Sequence, residues 1–307
     1  MPRAQKIAFA AMAVFFLAAP LVVYPVFLMK AMCFGLFACA FNLLIGYGGL
    51  LSFGHAMFLG TAGYAAAHAA KVWHFPPELA IVFATACAAL LGLVTGLVAI
   101  RRQGIYFAMT TLALAQMIYF FYLQAPFTGG EDGIQAVPRG MLFGFIDLSN
   151  VWAMYGLVYA IFFAGFALIY RAIHSPFGQV LKAIRENEPR ALSLGYDVNR
   201  YKLLAFVLSA TLAGLAGATK ALVFQLASLT DVHWSMSGEV VLMTLLGGLG
   251  TVFGPVVGAF IIVTMENYLA QLGAWVSISQ GAIFVICVMT FRRGVIGELG
   301  NFLRKPL

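Results

Sequence analysis

"LAIVFATACAALLGLVTGLVAI" (Leu79–Ile100) runs between Glu78 and Arg101 without a single charged residue. At 1.5 Å of rise per residue a helix over this stretch is about 33 Å long, enough to cross the roughly 30 Å hydrocarbon core of a bilayer. The whole chain repeats the signal. Of its 307 residues, 63% are apolar and 9% charged, with a mean hydropathy of +0.95. Soluble domains carry about 25% charge and about half apolar residues. A water-soluble fold could not hide this much apolar surface, so the solvent is lipid and the expected fold is an all-α, polytopic integral membrane helical bundle.

Working outward, further spans are expected near 7–28, 31–46, 55–72, 105–125, 151–170, 203–226, 238–250, 254–271 and 277–291. With 79–100 they make about ten; the short segments 31–46, 238–250 and 277–291 set the range at about eight to ten. The start, "MPRAQKIAFAAMAVFFLAAPLVV", has the basic and apolar regions of a cleavable signal peptide. Its apolar run continues to Leu28, too long for a signal core, so a retained first helix is expected. Ten crossings from a cytoplasmic N-terminus put Arg3, Lys6, Arg101, Arg102, Arg171, Lys182, Arg185, Arg190, Arg200, Lys202, Arg292, Arg293, Arg304 and Lys305 inside. Lys30, Lys71 and Arg139 fall outside, and Lys220 lies within a span. That asymmetry obeys the positive-inside rule and places both termini in the cytoplasm. The basic residues are topological clusters, which excludes a nucleic-acid surface despite the net charge of +7. Cys33, Cys39, Cys87 and Cys287 all sit in apolar runs without metal or redox spacing, and are read as packing residues.

The one long charged stretch, "SPFGQVLKAIRENEPRALSLGYDVNRYK" (175–202), falls inside, between the sixth and seventh spans. Val180, Leu181 and Ile184 at i, i+1, i+4 start an amphipathic helix. Pro189 marks a break or a first turn, and Gly195 a C-terminal stop for a second short helix in "RALSLG". Topology alone needs two or three positive charges, not Ala183, Ile184, Ala191, Leu192 and Leu194 interleaved among them. Residues 171–202 therefore read as a knob that docks a soluble partner; the alternative is a solvated loop that only fixes topology. The outer loop 124–150 is rich in glycine and proline and slightly acidic, and suits a second partner, a cover for the outer mouth, or a plain connection.

Small residues form ridges for close helix packing. Gly250, Gly254 and Gly258 make one; Ser209, Ala213, Gly217 and Ala221 another; Gly92 and Gly96 a third. "GYGGLLSFGHAMFLG" (46–60) and "GGLGTVFGPVVGA" (247–259) share paired glycines and a Phe-Gly, a hint of internal duplication and of broken helices at membrane depth. Intramembrane polar candidates are His55, His68, Lys220, Glu239 and Glu266. His55, with the preceding Ser52, Phe53 and Gly54, and Glu239 adjoin small-residue segments and rank first as points on a solute route. Each has a structural alternative as a hydrogen-bonded or snorkelling residue.

There is no phosphate loop, dinucleotide fingerprint, HExxH, metal cluster or catalytic triad. No catalytic or metal-binding residue is assigned, and the chain has no recognisable means of hydrolysing ATP. Three readings remain: a permease driven by separate ATPases, a stand-alone ion-coupled carrier kept open by Glu239 and Glu266, and a membrane enzyme, which lacks a catalytic cluster.

"FNLLIGYGGLLSFGHAMFLGTAGYAAA" (41–67), "YFAMTTLALAQMIYFF" (106–121), "TGGEDGI" (128–134), residues 175–218 and "WSMSGEVVLMTLLGGLGTVFGPVVGA" (234–259) together resemble the M-type permease of bacterial branched-chain amino acid ABC importers. The resemblance implies one transmembrane permease domain over 1–307 in the inner membrane. It implies pairing with an H-type second permease, two cytoplasmic ATPases that hold ATP and Mg, and a periplasmic binding protein that meets the outer side. No cofactor is expected in this chain. Residues 182–195 resemble the loop that couples to the ATPase, with Ala183, Ile184, Arg185, Glu186, Glu188, Arg190, Ala191 and Gly195 at the corresponding positions. Pro189-Arg190 replaces the small or aliphatic residues usual there, which affects the helix register around Glu188. A branched-chain or other small apolar amino acid is the implied solute; urea and short amides are alternatives within the same family.

Overall fold

The computed structural model describes residues 3–269 and 294–302, with positions 278, 281, 282, 285 and 289 between them. The expected span at 277–291, Cys287, and the basic residues 292, 293, 304 and 305 lie outside the described residues, apart from those isolated positions. The architecture is a bundle of helices: α1 (Arg3–Ala18), α2 (Pro25–Asn42), α3 (His55–Lys71), α4 (Pro77–Ala99), α5 (Ile105–Gln124), α6 (Val151–Ile173), the short α7 (Pro176–Glu186) and α8 (Glu188–Ser193), then α9 (Val198–Phe224), α10 (Trp234–Gly247), α11 (Gly254–Leu269) and α12 (Gly294–Phe302). Helix α2 continues through a widened π-type turn over Leu43–Tyr47. With that turn included, α2, α4, α5, α6 and α9 are long and apolar enough to cross a membrane; α1 and α11 are shorter apolar helices.

One expected span is corrected. Residues 7–28 do not form a single helix. Pro20 sits in a 3-10 turn over Ala19–Leu21, and α2 starts afresh at Pro25. Proline cannot donate the backbone hydrogen bond a continuous helix needs there, but it suits the first turn of a new one. The apolar residues around the reversal masked it in the sequence.

Burial sorts the helices. Helices α2 and α9 are buried along most of their length, whereas α4, α5 and α6 leave most of theirs open. A helix apolar on all sides belongs at the centre of a bundle, and α2 carries almost no amphipathic bias. Helix α9 packs on α2, α3 and α4. Its ridge of Ser209, Ala213, Gly217 and Ala221 is buried throughout. At Gly217 a Cβ would strike the backbone of Leu59 on α3, so glycine is what lets these two helices touch.

The 124–150 loop is more ordered than its composition suggests. Strand β1 (Ile134–Gln135) pairs antiparallel with β4 (Leu226–Ala227), just past the end of α9; β2 (Met141–Leu142) pairs with β3 (Ile146–Asp147) in a hairpin. The Arg139 guanidinium donates to the Val223 carbonyl at 2.8 Å. Two-residue strands carry too little periodicity to be read from sequence.

Candidate functional site

The charged stretch folds as an elbow of two helices. Ser175 caps α7 by accepting from the Gly178 N–H, and Pro176 occupies the first turn. Leu181 and Ile184 turn inward and are buried, with Val180 beside them. Asn187 is extended (φ −156°, ψ 94°) and forms the bend, its side chain accepting from Arg190 N–H at 3.1 Å to cap α8. This settles the register around Glu188: Pro189 lies in the first turn of the new helix, where no donor is missed. At the far end Gly195 (φ +86°) donates to Leu192 O and Tyr196 to Ala191 O, the paired bonds of a Schellman stop. Ala191 packs with Ile184 and Val198 in a small core of its own.

Three residues of the elbow brace it to the bundle. Glu188 accepts from Lys202 Nζ of α9 at 2.7 Å and from Gln103 of the α4–α5 turn at 3.0 Å. Arg185 donates to the Gly46 carbonyl at the widened end of α2, and its side-chain carbons lie against Gly49. The Lys182 ammonium sits 5.3 Å from the centre of the Tyr47 ring. A cleft of about 450 Å3 opens beside these groups, lined in part by Gln5, His174, Glu186 and Gly250. The residues expected in the coupling loop thus divide. Ile184, Ala191, Arg185 and Glu188 hold the elbow in place, whereas Ala183, Glu186, Arg190 and Gly195 are exposed, together with Leu192, Leu194 and Tyr196.

Arg185 reaches the place where the two glycine-rich segments meet. Each segment is a helix, a break and a second helix. Gly49 (φ +69°) lies between α2 and α3; Gly248 (φ +125°) and Gly250 (φ +74°) lie between α10 and α11. In each, a hydroxyl two or three residues before the new helix accepts from its leading glycine: Ser52 from Gly54 N–H at 3.3 Å, Thr251 from Gly254 N–H at 3.1 Å. Asn42 ties the two together. Its Oδ1 accepts from Gly250 N–H at 3.0 Å and its Nδ2 donates to Thr251 O at 2.8 Å. The expected ridge of Gly250, Gly254 and Gly258 is therefore corrected. Gly250 is in the break, held at positive φ, and is on no helix. Gly254 begins α11, and Gly258 lies against the backbone of Met243 on α10.

Of the candidates for a solute route, Ser52, Gly54 and His55 are fully buried and Phe53 partly so. His55 Nε2 lies 2.8 Å from Ser209 Oγ, whose hydroxyl donates to Ala40 O; the imidazole is boxed edge-on by Phe41, Phe58 and Phe206. These residues fasten the start of α3. Glu239 is different. It is partly buried in the second turn of α10, within electrostatic reach of Glu266, Lys30 and Lys220. Lys30 pairs with Glu266 at 3.0 Å, joining α2 to α11. Lys220 pairs with Asp231, joining α9 to the segment before α10. Both ammonium groups also face the Phe34 ring, at 5.7 and 5.2 Å. Five charged groups from four helices and a connecting segment thus gather at the end of the bundle opposite the elbow. The sequence offered Lys220 without a partner; Asp231 and the Lys30–Glu266 pair were missed because 236 residues separate the latter two. Among the described residues no group of His, Cys, Asp and Glu could hold a metal.

The family model described as branched-chain amino acid transport system / permease component matches residues 25–288. The chain is 27% identical over 279 residues to the high-affinity branched-chain amino acid transport system permease protein LivM of Escherichia coli (strain K12), covering 83% of this chain and 65% of that protein. It is 25% identical to the protein of the same description from Salmonella typhimurium, with the same coverage. This chain therefore spans about two thirds of the length of those relatives. It is also 30% identical over 270 residues to the ribose import permease protein RbsC of Bacillus subtilis (strain 168), covering 84% of this chain and 81% of that protein. No solved structure matches. A family match that takes in the helix breaks, the elbow and all five clustered charges by position means that this chain belongs to the family of branched-chain amino acid transport system permease components.

Proposed function

We propose that the chain is one membrane-spanning subunit of an ATP-driven importer in the bacterial inner membrane, and that its solute is an amino acid of the branched-chain class. The observation that carries this reading is the elbow. It presents Leu192, Leu194, Tyr196, Ala183 and Glu186 outward while Arg185, Glu188 and Lys182 tie it to α2, α9 and the α4–α5 turn. A surface that is apolar at its tip and charged at its rim suits a protein partner. The braces would carry a displacement of that partner into both helix breaks at once. Two cytoplasmic ATPases with ATP and Mg would supply the motion. A second permease would complete the pathway, and a periplasmic binding protein would deliver solute at the opposite end. The chain then alternates between two packings biased from its two ends.

The charge cluster supports an amino acid over a sugar. A zwitterion brings one ammonium and one carboxylate, which can exchange with the partners inside the Lys30–Glu266 and Lys220–Asp231 pairs, beside Glu239. Ribose carries no charge to answer them. The test is transport by the full complex in proteoliposomes, with ATP inside and the binding protein outside. ATP-dependent uptake of labelled leucine, with no uptake of labelled ribose or urea, is expected. Uptake of ribose or urea in place of leucine overturns the substrate assignment. Ion-driven uptake by the single chain without ATPase overturns the importer assignment.

A further inference from the structure

The hairpin β2–β3 makes an unusual choice of residues at its turn. Tight turns with positive φ favour Asn, Asp and Gly. Here the turn reads Leu142-Phe143-Gly144-Phe145, closed by Phe145 N–H donating to Leu142 O at 3.1 Å. Phe143 has φ +49° and Gly144 φ +76°. A bulky aromatic residue in the left-handed region is a strained choice. What it obtains is display: Phe143 is 67% exposed and Phe145 92%. Met141 and Ile146 flank them, also exposed, and no charged residue occurs from Gly140 to Ile146.

The hairpin is held firmly in that posture. Leu148 and Val137 at its base are fully buried. Phe143 N–H donates to Glu78 Oε1 at 3.3 Å, and Gly140 abuts Pro77, so the hairpin sits on the first turn of α4. Below it α4 turns Leu79 and Val82 outward, the face that meets lipid acyl chains. Trp73, just beyond α3, and Trp152, in the first turn of α6, are exposed near the same end of the bundle. Aromatic side chains gather at the level of lipid headgroups, where the ring is buried and the backbone stays wet.

We infer that the Phe143–Phe145 turn is a membrane anchor, inserted into the headgroup–acyl boundary of the leaflet opposite the elbow. Lipid fits better than a soluble partner on two counts. The tip lacks the polar rim of a protein-docking surface. Its seat is α4, which packs on α3, α5 and α9, whereas Lys30, Glu239 and Glu266 lie on α2, α10 and α11; the exposed Leu79 and Val82 continue the apolar surface of the hairpin down α4. The anchor would fix the height of α4 and α6 while the central helices move.

The test places a tryptophan at Phe145 (F145W) in the full chain, reconstituted in phosphatidylcholine vesicles. Because this side chain touches almost nothing in the fold, the substitution leaves the bundle intact. The emission added over the unsubstituted chain should be blue-shifted. About half of it should be lost in vesicles containing phosphatidylcholine brominated near the carbonyl end of its acyl chains, as for a ring at the interface. Aqueous iodide should quench it little. Strong quenching by iodide with none by brominated lipid overturns the anchor. So does protection that appears only when the periplasmic binding protein is added, which would reassign the turn to protein docking.

Discussion

Lys202 is a cation with 5% of its side chain exposed, and Glu188 is its partner at 2.7 Å. Removing one member of such a pair leaves a buried charge unanswered, at a cost of about 3 kcal/mol, while replacing both with neutral groups of similar volume costs far less. Glu188→Gln should therefore lower the thermal unfolding temperature of the detergent-solubilised chain, and Glu188→Gln with Lys202→Met should recover most of the loss. Equal destabilisation by the single and double variants would mean the pair contributes nothing. Lys30 and Glu266 allow the complementary experiment, because both side chains are partly exposed and charge reversal is tolerable there. Lys30→Glu and Glu266→Lys should each cut leucine uptake by the complex by about tenfold, since like charges within 4 Å repel. The two together should restore it. Failure of the double reversal to rescue would show that each residue acts separately. Neither pair was legible in the sequence. Lys220 and Glu266 stood out because a charge in an apolar run is costly, but cost names no partner. The surroundings of His55 were hidden for the same reason: its buried hydrogen bond to Ser209 and its jacket of phenylalanines depend on three helices meeting.

Helices were legible where the length of an apolar run sets the length of the helix. The segments expected at 55–72, 79–100, 105–125 and 254–271 agree with α3, α4, α5 and α11 to within two residues at either end. The physical reason is that backbone groups in hydrocarbon have to be paired within the segment, so the apolar run and the helix coincide. The boundaries missed are those where the chain breaks without a change in apolar character: the reversal at 19–24, the π-type turn at 43–47, and the break that takes Gly250 off a helix. The small-residue ridge of α9 has a four-residue spacing that is local in sequence. It can be tested against glycines that nothing touches. Gly217→Leu drives a side chain into the backbone of Leu59, whereas a Cβ at Gly156 or Gly238 meets nothing. Gly217→Leu should lose about 1–3 kcal/mol of stability or fail to accumulate in the membrane, and Gly156→Leu should behave as the parent. Equal accumulation and unfolding temperature for both would remove the close α3–α9 approach from the account.

At the scale of the whole chain, two ends are joined by a few stiff connections. Arg185, Lys182 and Glu188 reach from the elbow to α2, α9 and the α4–α5 turn, and Asn42 links the α2 break to the α10–α11 break. Helices α2, α9, α10 and α11 then continue to the charge cluster at the far end. A displacement applied at the elbow therefore reaches the cluster through packed helices. On this reading the outward residues of the elbow and its inward residues have separable jobs. Leu192 and Leu194 are 56% and 68% exposed and support nothing in the bundle. Leu192→Glu with Leu194→Glu should leave the unfolding temperature of the isolated chain unchanged, yet abolish solute-stimulated ATP hydrolysis in the assembled complex and weaken co-purification of the ATPases. Arg185→Ala should do something else. The ATPases should still bind, because the outer face is intact, but hydrolysis should proceed without transport, because the push no longer reaches the α2 break. Measuring ATPase retention, hydrolysis and leucine uptake on the same three preparations separates grip from transmission. If Arg185→Ala retains full transport, or the leucine variant keeps its ATPases and its coupling, then the elbow does not join motor to pathway, and the force enters the bundle elsewhere.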